Sequence, residues 1–177
     1  MKNSGKIIQI DENEKNPLRL HAAVVTKSEF GTQELKDTIT LMQKALAKEN
    51  DGVALAAPQI AISKRIFVIA PNAYEESAKW KPLVFINPVL SKMSKKTGEQ
   101  QEGCLSVRWI YGKTRRHISA TVEAYDIDGN KFSYGGTGLI AHIFQHEIDH
   151  LDGILFIDHG FDFEEYTEEE VLDGVKK

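Results

Sequence analysis

Between Gln33 and Asn50, apolar side chains recur with helical spacing. Leu35, Ile39, Met42 and Leu46 stand at i, i+4, i+7 and i+11, which predicts an amphipathic helix over 33–50, ended by Asn50-Asp51-Gly52. The period then changes. "RIFVIA" (65–70) and "LVFINPVL" (83–90) read as strands, and from Ser119 to Tyr125 the residues Ala120, Val122 and Ala124 alternate with Thr121, Glu123 and Tyr125. Asp128-Gly129 is a hairpin signal that returns the chain along Lys131–Tyr134. Gly135-Gly136 is expected to break that strand and Thr137 to cap a second helix over 138–152, with Gly153 as its stop. "TEEE" (167–170) reads as a capping box for a short final helix. No βαβ rhythm is present. The expected class is therefore α+β, with antiparallel or mixed sheets wrapped around the helix at about 138–152 and a short C-terminal helix.

Composition narrows the function classes. A chain of 177 residues, 41% apolar, suits one catalytic domain, expected to span 1–177. Lys+Arg 22 against Asp+Glu 26 leaves a net charge of −4, which gives no nucleic-acid footprint. The basic run Lys113-Thr114-Arg115-Arg116-His117 reads as an exposed charged strand or loop, or a partner site. Cys104 is the one cysteine, so no internal disulfide forms. The start, "MKNSGKIIQIDENEKN", lacks the apolar core of a secretory leader, and the apolar run near "GVALAAPQIAI" is too short to span a bilayer. A soluble cytoplasmic protein is expected, binding neither DNA nor membrane.

The second helix carries the chemistry. On its wheel Leu139, Ile140, Ile143, Phe144, Ile148 and Leu151 form an apolar arc. His146 and His150 border that arc, Glu147 falls within it, and His142, Gln145 and Asp149 occupy the polar side. Two histidines at i, i+4 can aim at one divalent ion, although two satisfied histidines in a charged helix would give the same spacing. A glutamate in an apolar arc costs stability unless it is neutral, paired or beside a cation.

The third ligand decides the kind of site. After "HEIDH" the position where a metzincin places its third histidine holds Phe156, which cannot ligate. Glu170 would serve a thermolysin-type zinc endopeptidase, but capping already accounts for it, and His159 has no distinctive spacing. Cys104, in "EGCLS" (102–106), completes a Cys/His/His set with a fourth position open, as catalytic zinc-type sites have. Alone, it would read as a small buried hydrophobe. "GVALAAPQ" (52–59) adds small residues that let a substrate backbone approach, and an amide donor in Gln59.

In this order the three stretches resemble peptide deformylase, a family that carries GxGxAAxQ, EGCxS and QHExDH. The resemblance implies that Cys104, His146 and His150 hold one divalent metal ion and that Glu147 is the general acid/base. It also implies that Gln59 and the backbone N–H of Leu105 meet the oxyanion. Gly52, Ala54, Gly103 and His142 are expected to border the substrate, His142 as a pocket-rim residue. Fe²⁺ is the family's common ion, with Zn²⁺, Ni²⁺ or Co²⁺ able to take its place. The implied reaction removes the formyl group from N-formylmethionyl nascent peptides, with transient ribosome association as a further expectation. Two positions depart from the family. Ala54 stands for the second glycine, and Ser106-Val107-Arg108-Trp109 runs where proline is usual. A catalytically silent homologue that binds peptide ends is the remaining alternative, and Ala54 and Arg108 are what favour it.

Overall fold

The computed structural model describes residues 4–10, 16–73 and 83–175; the leader reading of the first residues falls partly outside these. The helical spacing becomes α1 (Gln33–Leu46), started by the Thr32 side chain, which accepts from the Leu35 N–H at 3.3 Å. It stops short of the expected Asn50. Beyond its Ala47 cap the chain turns so that Glu49 and Asp51 both reach Arg108, and continuing the helix would pull them away.

Eight strands follow among the described residues. β1 (Ala54–Ala56), β2 (Ile66–Ile69), β3 (Leu83–Met93), β6 (Ser119–Tyr125) and β7 (Lys131–Thr137) form a sheet in the order β1-β2-β3-β6-β7. β4 (Thr97–Cys104), β5 (Val107–His117) and β8 (Phe161–Glu165) form a second, in the order β4-β5-β8. Every ladder of these sheets is antiparallel.

The period of two sorts the larger sheet's side chains onto two cores. Leu55, Ile66, Val68 and Ile86 face α1, meeting Leu35, Ile39, Met42 and Leu46. Ala54, Ala56, Phe67, Phe85, Ala120, Val122 and Ala124 face the second helix, α2 (Gly138–Leu151), and meet its Ile143, Phe144, Ile148 and Leu151. Phe67 stacks on Phe85 with centroids 4.5 Å apart, and Phe144 packs edge-on against Phe85 at 5.4 Å. Cutting Phe85 to alanine at this junction would cost about 3–5 kcal/mol.

Three local expectations need correction. Gly135-Gly136 does not break the strand but lies inside β7. Gly136 is glycine because a Cβ there would come within 2.3 Å of Ile140 Cγ2, so it lets α2 dock against the strand that precedes it. Thr137 occupies the cap position, yet its side chain accepts no capping bond. Finally, the side of α2 that reads as polar is largely buried. His142 and Gln145 are 8% and 5% exposed, because the second sheet covers them, with Gln145 bonding the backbone of His117 at both its N–H and its carbonyl.

Both helix ends behave as expected. Gly153 has φ +75°, the left-handed stop after α2, and a Cβ there would lie 2.8 Å from the Arg19 backbone. The "TEEE" box is reciprocal: Thr167 Oγ1 accepts from the Glu170 N–H, and Glu170 Oε2 accepts from the Thr167 N–H, opening α3 (Glu168–Val175). The basic run lies in β5. Its Lys113 and Arg115 are exposed and paired with Asp162 and Glu99, while Thr114 and Arg116 point inward. Among the described residues no helix is long and apolar enough to cross a membrane.

Candidate metal centre and its cavity

α2 presents His146, Glu147 and His150 toward the turn that links β4 to β5, where Cys104 is the last residue of β4. The ligand atoms of Cys104, His146 and His150 all lie within 4.8 Å of one another. Cys104 Sγ is 3.2 Å from His150 Nε2. His146 donates from Nδ1 to Glu102 Oε1 at 2.5 Å, which makes Nε2 the nitrogen a metal ion would take, displacing a proton from it.

The electrostatics suit a cation. Burial lowers the pKa of His150 well below the ordinary imidazole range, and the neighbouring His146 lowers it further, so it is neutral, the form that binds metal. Burial also opposes charge on His146, but its bonds to Cys104 and Glu102 outweigh this and hold its pKa high. Glu147 is 3% exposed; burial pushes its carboxyl up to about 7, with His146 pulling down and Glu102 pushing up. Among the described residues, Glu147 Oε2 and His150 Nδ1 are buried with no hydrogen-bond partner. An unpartnered carboxylate oxygen beside three convergent soft and borderline ligands fits a divalent ion with a substrate position next to it.

Gln59 is fixed from behind. Its Oε1 accepts the Ala56 N–H at 2.8 Å, so the amide nitrogen faces the site, 3.2 Å from Ser106 Oγ and 3.6 Å from Cys104 Sγ. The Ile8 N–H bonds the Gln59 carbonyl, and the Ile10 N–H bonds the Ser106 carbonyl, so one N-terminal segment holds both sides of the site. The cavity above has a volume of about 230 Å³. Gly52, Ala54, Gln59, Gly103, Cys104, Leu105, His142, His146 and Glu147 all line it, so the sequence-derived residues converge, with His150 joining through the ligand cluster. Gly103 is glycine because a Cβ would meet the Tyr111 ring at 2.5 Å. Ala54 sits in extended β1, its methyl on the cavity wall.

His142 does more than border the rim. It is buried, and its Nε2 donates to Glu102 Oε2 at 2.7 Å. Glu102, to which the sequence reading gave no role, is the hub. It also accepts from Thr114 Oγ1 at 2.5 Å and from Arg116 at 3.2 and 2.8 Å, and Arg116 continues to Asp149 at 2.6 Å. Burial raises its pKa, but the bonds from His142, His146 and Arg116 together carry it well below the usual carboxylate range. A histidine ligand needs a partner for its second nitrogen, and that requirement was the available clue to the glutamate of "EGCLS". Tyr111 and Leu139, also on the cavity wall, carried no such clue. Glu170 is exposed and bound in its own cap, outside the ligand cluster, which leaves the thermolysin scheme without its third ligand.

Residues 6–165 match the family described as polypeptide deformylase. The chain is 41% identical over 169 residues to peptide deformylase 2 of a Nostoc species, spanning 92% of each. With peptide deformylase 2 of Gloeobacter violaceus it shares 44% over 108 residues, 61% of this chain but only 57% of that relative's length. A Met-Ala-Ser-bound crystal structure of a class I type b peptide deformylase from Acinetobacter baumannii superposes with a TM-score of 0.75 at 30% identity, covering 87% of this chain and 99% of that one. A match over residues 6–165, on a fold and ligand cluster of this kind, makes the chain a member of the polypeptide deformylase family.

Proposed function

We propose that this chain hydrolyses the formyl amide of N-formylmethionyl polypeptides, releasing formate and a free amino terminus. The observation that carries the reading is Glu147: a buried carboxyl with an unpartnered oxygen, on the wall of a cavity beside Cys104, His146 and His150. Family membership and the relatives' names support the substrate class. A pure binder of peptide ends has no use for a buried, elevated carboxyl, which costs stability. The proposed catalytic domain is the whole chain, 1–177.

Cys104, His146 and His150 would hold one divalent ion, which supplies Lewis-acid polarisation and an acidified water. Fe²⁺ is the proposed occupant, by family resemblance; thiolate and imidazole also accept Zn²⁺, Ni²⁺ or Co²⁺. Glu147 takes a proton from the attacking water and returns it to the departing amine. The Gln59 amide N–H, aimed inward by the Ala56 bond, and the Leu105 N–H donate to the oxygen on which charge develops. Glu102 keeps His146 in the ligating tautomer. Val53, Ala54, Leu105, Leu139 and Ile143 give the apolar lining for the methionine side chain.

The test is formate release from formyl-Met-Ala-Ser by protein purified without oxygen, with metal analysis on the same sample. Activity should vanish on chelation and return with Fe²⁺. A metal-loaded, folded protein that releases no formate would overturn the reading.

A further inference from the structure

Arg108, in the stretch after "EGCLS", has a definite task here. From β5 it reaches to the loop between α1 and β1, beside the cavity, donating to Asp51 Oδ2 and Glu49 Oε2, both at 2.6 Å. Its guanidinium also lies 4.5 Å from the Trp109 ring centroid, and its side chain is 18% exposed, so the fork is held on two sides. The walls it joins carry the site. Asp51 and Gly52 line the cavity from the loop, and Cys104, Leu105 and Tyr111 line it from the β4–β5 side. The walls touch where Gly52 packs on Leu105, since a Cβ on Gly52 would stand 3.1 Å from Leu105 Cδ1. Arg108 does not itself line the cavity; it acts through Asp51.

We propose that Arg108 is a positioning residue that, by bridging Glu49 and Asp51, sets the width and the charge of the cavity mouth, and so selects among peptides by the residue that follows the formylmethionine. This rests on the deformylase reading. Asp51 on the cavity wall, with Glu49 behind it, sets two carboxylates against one guanidinium, so a basic residue after the methionine is favoured over an acidic one. Without Arg108 both carboxylates are released, the preference sharpens, and the loop that carries Asp51 and Gly52 loosens.

The experiment compares wild type with Arg108→Met, Arg108→Lys and Asp51→Asn on formyl-Met-Lys-Ser and formyl-Met-Glu-Ser. Arg108→Met should raise KM about threefold to tenfold, the scale of a partly exposed ion pair, with kcat and metal content nearly constant. It should also raise the Lys-over-Glu ratio of kcat/KM, while Asp51→Asn lowers that ratio. Arg108→Lys should restore the ratio but only part of KM, because an ammonium cannot grip two carboxylates as a fork does. Dissociation constants for Met-Lys-Ser and Met-Glu-Ser report the same ratio without turnover. If wild type releases no formate, the deformylase reading fails, and the product peptides still judge the clamp. An unmoved Lys-over-Glu ratio, or a loss confined to kcat and metal, overturns the clamp.

Discussion

Glu147 and Gln59 make opposite demands on a substitution. Glu147 has no structural partner at Oε2, so Glu147→Gln should fold, keep its metal and lose turnover by about 10²–10⁴-fold, the usual worth of a positioned proton-transfer group. Near-wild-type formate release with the metal still bound would place the base elsewhere. Gln59 is tied at both ends of its amide, so Gln59→Leu should lower kcat by about 10²–10³-fold. The same change orphans the Ala56 N–H and should cost about 1–3 kcal/mol of stability, which a denaturant titration reads separately. A pure KM effect would make Gln59 a contact for bound substrate only. Cys104 and Glu170 form a matched pair. Cys104→Ser should deplete both metal and activity, since a protonated hydroxyl is a poor ligand for a borderline-soft ion. Glu170→Ala, at an exposed cap, should leave both intact while at most loosening the last helix.

At the scale of elements, α2 shows where pattern reading succeeds and where it stops. Its apolar arc was legible because Ile143, Phe144, Ile148 and Leu151 keep a 3.6 period against one sheet. The opposite side was not, because a wheel cannot report a second sheet packed over His142 and Gln145. β4 hid its content for a related reason. "TGEQQEGC" is polar throughout, so alternation cannot separate the inward Glu102 from the outward Glu99. The Cys104/His146/His150 cluster was legible because these residue types have few other uses at that spacing, whereas the hub that bonds His146 exists only after the β4–β5 hairpin pairs in register. Glu102→Gln should therefore weaken metal binding by about 10–100-fold with the three ligands intact, measured by competition with a chromophoric chelator. Unchanged affinity would show that Glu102 holds the fold and not the tautomer of His146.

On the scale of the whole molecule, Glu102 on β4 ties the second sheet to α2, through Arg116 and Thr114 on β5 and His142 and His146 on the helix. That places a large part of the acid sensitivity at one carboxylate. Its pKa when folded lies well below the ordinary 4.5, so the unfolded chain binds the proton more tightly. Stability from this group is accordingly full above about pH 4.5 and drains away as the pH falls through and below that value. Glu29, held at about 2 by Lys64 and Thr26, adds to the same window from the surface and is untouched by changes at Glu102. Urea titrations of metal-free protein between pH 7 and pH 3 separate the two. Glu102→Gln leaves Arg116 with only Asp149 as counter-charge and should cost less at neutral pH than the about 3–5 kcal/mol of a wholly unpaired buried charge. The variant should then lose less than wild type on acidification, so the two stability curves converge toward low pH. Parallel curves would move the acid sensitivity to the surface carboxylates and leave Glu102 an orienting role alone.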